Sequence, residues 1–144
     1  MDIIDGGPGD DLLTISDTSF LQISGGNGTD TLLLDGNELA FVNNSRVSGI
    51  EIIDMGSGSN TVTLSLSDVF TLPLEPGFNI DTTLRILGTA GDTVAFLDTF
   101  TPGSTQVVDD VAFNTFEGTF VVSNVDILLT VLIDQDITNV IGTV

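Results

Sequence analysis

Gly6-Gly7-Pro8-Gly9-Asp10-Asp11-Leu12-Leu13-Thr14 decides how this chain is read, because it fits the nonapeptide G-G-x-G-x-D-x-U-x at every fixed position, U being a large apolar residue. Gly25-Gly26-Asn27-Gly28-Thr29-Asp30-Thr31-Leu32-Leu33 fits it again. Each letter has a physical reason. Glycines let the backbone turn tightly, adopt positive φ and expose its carbonyls. The aspartate adds a hard anionic oxygen. The apolar residue then enters a short strand and points inward. A turn lined with carbonyls and carboxylates suits calcium, which takes about six to eight oxygen ligands.

The bulk of the sequence agrees with a folded chain under an acidic surface. Its 144 residues suit one domain, placed across 1–144. It carries 21 acidic residues against two arginines, Arg46 and Arg85, no lysine, and a formal charge of -19. Nucleic acid would be repelled by such a surface. Yet 41% of residues are hydrophobic and mean hydropathy is +0.41, unlike a disordered acidic chain. Self-repulsion of the acidic skin works against compactness, and bound divalent cations would relieve it. There is no cysteine, so no disulfide staples the fold. Met1-Asp2-Ile3-Ile4-Asp5 is acidic and has no apolar signal core. Met1 reads as a start residue set before an internal fragment. The longest apolar run, Ile127 to Ile133, includes Thr130 and is too short to span a bilayer.

Outward from the two nonapeptides, each glycine turn opens a coil. Coil one, Gly6 to Ser24, holds Leu12-Leu13-Thr14-Ile15 and Phe20-Leu21-Gln22-Ile23, with Ser16-Asp17-Thr18-Ser19 as the polar turn between. Coil two has a strand at Thr31 to Leu34, a break at Asp35-Gly36-Asn37, a short helix or bulge at Glu38 to Val42, and a return strand at Ile50-Glu51-Ile52-Ile53. Coil three opens on a degraded turn, Met55 to Thr63, in which asparagine stands at the aspartate position. A strand from Thr61 to Leu66 follows, then a capped helical turn at Ser67-Asp68-Val69-Phe70. Pro73 and Pro76 bound a loop before a return strand at Thr83 to Leu87. Leu87 to Val94 opens coil four, with its glycine displaced by one position. Thr93 to Leu97, Phe113 to Val122, Val125 to Ile133 and Asp136 to Ile141 are predicted strands. Pro102-Gly103 and Glu117-Gly118 are predicted turns. A stack of coils needs a different closing element, and the last 50 or so residues are assigned that role.

The sixth-position residues Asp11, Asp30, Asn60 and Asp92 lie 19, 30 and 32 residues apart. Two nonapeptides make one coil, so like positions recur about every 18 residues. The longer gaps place insertions on the far side of the coils.

Together the two complete nonapeptides, the two degraded turns and the closing segment Leu132 to Ile141 resemble the C-terminal parts of large RTX (repeats-in-toxin) adhesins secreted by bacterial type I systems. The resemblance implies an all-β fold, a parallel β-roll or β-solenoid of about three to four irregular coils. Glycine-turn coils would occupy 5–93 and capping strands 94–144. It implies calcium between the turns of successive coils. One turn would offer the carbonyls of its second and fourth residues and its aspartate, and the next turn those of its first and third residues and its own aspartate. The first site would then take Gly7, Gly9 and Asp11 with Gly25, Asn27 and Asp30. A second would take Gly26, Gly28 and Asp30 with Met55, Ser57 and Asn60, one carboxylate fewer. A third, between Gly56-Gly58-Asn60 and Gly88-Asp92, departs from the pattern in glycine register. The residues alone also admit an ordinary run of turns, since aspartate and asparagine form turns locally.

Catalysis is not expected. Histidine and cysteine are absent, and with them the commonest general base and thiol nucleophile. Asp109-Asp110 is a candidate acid pair, but adjacent acids in a polar loop are usually solvated. The expectation is a calcium-dependent structural module of a secreted protein at the bacterial cell surface, with the monomer as default state. The alternative is a calcium-dependent adhesion module that binds a cell-surface glycan or protein, with Thr61-Val62-Thr63 and Thr29-Asp30-Thr31 presenting hydroxyls at strand spacing. Calcium would couple to folding, because the ligands converge only in the folded coil.

Overall fold

A computed structural model of the chain describes residues 2–36, 38–42, 46–74 and 82–142. Met1, Asn37 of the predicted break and Pro76 of the predicted loop lie outside the described residues. The elements run, in chain order, β1 (Ile3–Pro8), β2 (Leu12–Ile15), β3 (Gln22–Asn27), β4 (Thr31–Leu34), β5 (Ala40–Val42), β6 (Val47–Ser48), β7 (Ile52–Asp54), β8 (Thr61–Leu64), α1 (Leu66–Thr71), β9 (Thr83–Leu87), β10 (Thr93–Phe96), β11 (Thr101–Pro102), β12 (Gln106–Val108), β13 (Val111–Val122), β14 (Val125–Asp134) and β15 (Asn139–Ile141). Among the described residues the fold is all-β with one short helix.

The strands form three sheets. The first, β1-β3-β6, is parallel throughout. The second places β2, β4, β7, β9 and β14 side by side in parallel, then turns antiparallel at β13, to which β11 and β12 pair. The third, β5-β8-β10-β15, is again parallel. The antiparallel part makes the second sheet mixed.

Period-two alternation in the sequence explains which side chains meet. Leu13, Leu32, Ile53, Ile86 and Ile133 are register partners across the second sheet, and all are buried. Phe41, Val62, Val94 and Val140 form the corresponding row in the third sheet. Ile4, Ile23 and Val47 form it in the first. Identical faces stacked in register bury branched aliphatic side chains against one another, the arrangement that suits β-branched residues. Thr14, Thr61 and Thr63 take the outward positions between them.

Several local expectations change. Ala40–Val42 is a strand rather than the short helix or bulge expected over Glu38 to Val42, because Phe41 is buried in register with Val62. The helix is capped two residues earlier than expected. Ser65 is its N-cap, its hydroxyl accepting from the Asp68 N–H while the Asp68 carboxylate accepts from the Ser65 N–H. Glu117-Gly118 is no turn. Gly118 lies inside β13, and a Cβ there would meet Leu66 Cδ2 at 2.5 Å and Phe100 at 3.1 Å, so glycine lets the helix and Phe100 approach the strand. The hairpin turns at Ser123-Asn124 instead, both at positive φ (49° and 62°), as a two-residue turn between twisted strands requires. Pro102 is in strand β11, paired with Phe116. In the segment assigned to capping, β13 closes the second sheet, but β14 and β15 also continue the parallel order of their sheets.

Candidate metal centre

The two complete nonapeptides become the connections from β1 to β2 and from β3 to β4, one directly above the other. Gly7 pairs with Gly26 and Pro8 with Asn27. The Gly9 N–H donates to the Asn27 carbonyl at 2.8 Å. Gly26 and Gly28 have φ of 109° and 137°, backbone that favours glycine. Contact adds a second reason. The Gly7 carbonyl fills the space a Cβ on Gly26 would need, and the Gly9 carbonyl does the same to Gly28. The turns therefore meet backbone to backbone, with carbonyls crowded along their interface.

Beside these carbonyls stands a column of acids. Asp11, Asp30 and Glu51 each occupy the residue before a strand of the second sheet. The Asp11 N–H donates to Asp30 Oδ1 at 2.8 Å, and the Asp30 N–H donates to Glu51 Oε2 at 2.8 Å. Asp30 is 0% exposed and Glu51 6%. Asp11 Oδ2 is buried and accepts no hydrogen bond. Burying carboxylates is costly unless charge or hydrogen bonds compensate. The two arginines are committed elsewhere. Arg46 Nη1 donates to the Phe20 carbonyl at 2.7 Å and its guanidinium lies 4.5 Å from the Phe20 ring centroid, while Arg85 pairs with Asp109 at 3.1 Å. The oxygens at the interface of the first two turns include the Asp11 and Asp30 carboxylates and the carbonyls of Gly7, Gly9, Gly25 and Asn27. That donor chemistry fits a hard divalent cation. Among the described residues no three or more His, Cys, Asp or Glu side chains are placed to hold one metal ion together, so any cation here would draw most of its ligands from backbone oxygen.

Asn60 stands elsewhere. Their spacing places Asp11, Asp30, Asn60 and Asp92 in one column, whereas the structure divides them between two corners. Asn60 and Asp92 precede strands of the third sheet. The Asn60 N–H donates to Asp92 Oδ1 at 2.9 Å, and Asn60 Oδ1 accepts from the Leu39 N–H at 2.7 Å. Gly26, Gly28 and Asp30 are therefore not joined to Met55, Ser57 and Asn60 as the second expected site requires. At this corner the amide does a different job. Asn60 Nδ2 donates to the Met55 carbonyl at 2.6 Å and the Ser57 carbonyl at 3.1 Å. A neutral donor thus serves the two carbonyls assigned to a metal. Asp92 is satisfied locally too, its Oδ2 accepting from the Thr89 N–H at 2.8 Å.

Sequence reasoning missed Glu51. Ser24 pairs with Ser48, and from there the chain reaches Glu51 in three fewer residues than it takes from Ser24 to Asp30. The shortened turn keeps Gly49 but lacks the rest of the motif. A usable signal was spacing, since Glu51 follows Asp30 by 21 residues, close to the 19 between Asp11 and Asp30. Asp109 and Asp110 form the two-residue turn between β12 and β13 at φ of 51° and 64°. Among the described residues no helix is long and apolar enough to cross a membrane.

No protein-family model, no curated protein and no solved structure matches the chain.

Proposed function

We propose that this domain is a calcium-binding structural module of a secreted bacterial protein of the RTX kind, a parallel β-roll whose first two glycine turns hold the ion. Asp11 and Asp30 supply its charge, and carbonyls of Gly7, Gly9, Gly25 and Asn27 supply neutral oxygens. The observation that carries the reading is the corner itself: aspartates of successive glycine turns stacked with a 2.8 Å hydrogen bond between them, one buried oxygen without a hydrogen bond, and both guanidiniums engaged elsewhere. The parallel order of the first and third sheets, and of β2, β4, β7, β9 and β14 within the mixed second sheet, supports the roll. A chain of formal charge -19 repels itself when compact, and a cation between buried Asp30 and half-buried Asp11 offsets that repulsion where it is poorly screened.

The ligands of such a site come together only in the folded chain, so calcium stabilises the native state by mass action. In a low-calcium cytosol the chain stays loose enough to export. Outside, calcium at millimolar levels suits the weak sites of extracellular modules, with dissociation constants of about 0.1–1 mM. Circular dichroism across a chelator titration tests this. The reading expects the melting temperature to fall as calcium is withdrawn and to return on readdition. An unchanged β signal and melting temperature in excess chelator overturn it.

A further inference from the structure

We propose that the β1–β2 end of the stack is a docking face for one further glycine-turn coil, entering in parallel register ahead of β1. This goes beyond the metal reading and does not depend on it.

The face repeats, uncovered, the surface that the second turn presents to the first. Gly7 and Gly9 have φ of 92° and 116°, matching Gly26 and Gly28. Where the later pair is covered by carbonyls of the first turn, nothing lies within 4 Å of a Cβ built on Gly7 or Gly9. The acid column ends at the same place. Glu51 accepts the Asp30 N–H and Asp30 accepts the Asp11 N–H; continued by register, the next N–H in that series would belong to a coil ahead of Asp11. The core is open there as well. Ile4 is half-buried while its register partners Ile23 and Val47 are 0% and 2% exposed. A cavity of about 90 Å³ lies at this end, lined by Ile4, Ile15 and Phe20 together with the polar residues Asp2, Thr14, Ser16 and Asp17. Apolar residues of an added coil in register with Ile4 and Ile15 would enter it.

The occupant is identified by continuity with the existing interface. It must offer carbonyls at glycine-turn spacing over Gly7 and Gly9, strands parallel to β1 and β2, and aliphatic residues two apart. A second copy is a poorer match, because the far end of its second sheet is closed by antiparallel β13 rather than by a glycine turn.

The test is a tandem duplication of residues 3–21 ahead of Ile3, which preserves the register offset of Ile3 and Gln22. Amide exchange is followed in saturating calcium and in chelator, so that loss of the calcium response, which bears on the metal reading, is scored separately. The expected result is at least tenfold slower exchange across β1 and β2, with the added strands protected. Gly7→Ala in the extended chain should then lower the melting temperature as much as Gly26→Ala does. Three results overturn the proposal. One is an added copy that exchanges like unfolded chain and leaves β1 and β2 unaltered. Another is equal protection from a scrambled duplicate. The third is an unextended chain that dimerises and protects the same amides, which makes a second copy the occupant.

Discussion

Gly7→Ala and Gly26→Ala form a matched pair that isolates turn stacking from backbone strain. Both glycines hold the same kind of conformation, φ of 92° and 109°. Placing an L-residue there costs about 1–3 kcal/mol in either turn. The surroundings differ. Alanine at position 7 enters open space, whereas at position 26 its methyl must displace the Gly7 carbonyl. Both partners at that point are backbone, so no rotamer change relieves the overlap and the turns must separate. Overpacking of that kind adds about 1–3 kcal/mol. Gly26→Ala should therefore cost about 1–3 kcal/mol more than Gly7→Ala. At roughly 2–4 °C per kcal/mol for a domain of this size, its melting temperature should fall further by about 2–12 °C. Thermal melts of both variants, run side by side in calcium and in chelator, measure the difference. Equal losses, or a larger loss in Gly7→Ala, refute direct stacking of the two turns.

Other consequences are as direct. Asn60→Asp turns two hydrogen-bond donors into a buried carboxylate facing the Met55 and Ser57 carbonyls, so stability measured in chelator by urea unfolding should drop by about 3 kcal/mol or more; an unchanged midpoint would show that the amide clasp is unimportant. Ser65→Ala removes the hydroxyl half of the helix cap and should cost about 1 kcal/mol in the same assay, whereas no loss would mean the helix is held by packing alone. Asp17 should titrate below the 3.8 of a free aspartate, because the Ser19 hydroxyl and the Ser19 N–H both donate to its carboxylate. Its depressed folded value means its contribution is present above the unfolded value and fades as pH falls through the folded one. Carbon-detected NMR of the carboxyl checks this, and a midpoint at or above the free value contradicts it.

Strand positions were legible where alternation was strong. Thr83–Leu87 and Leu12–Ile15 fall where Leu and Ile alternate with Arg and Thr. Local signals failed where tertiary contact took over. A glycine inside a strand looks like a turn in sequence, yet Gly118 serves the approach of Leu66 and Phe100. The first corner was readable from its motif because two complete turns align 19 residues apart. The second was misplaced because the motif letters do not say which corner a turn occupies. Asn60 aligns with Asp30 in the pattern, but the short turn ending at Glu51 has already taken the place above Asp30. That turn is three residues shorter than the one from Ser24 to Asp30 and holds Gly49 alone of the glycines that would have marked it.

The proposed function stands or falls on calcium binding between the Asp11 and Asp30 turns. Isothermal calorimetry with calcium on the full chain, on Asp11→Asn, on Asp30→Asn and on the exposed control Asp126→Asn tests it most directly. The account predicts binding by the parent chain and by the control, affinity reduced at least about tenfold in both corner variants (about 1.4 kcal/mol), and the greater loss for Asp30→Asn, whose residue bonds to the acid on either side. A parent chain that binds no calcium, or corner variants that bind it as the control does, contradicts the account.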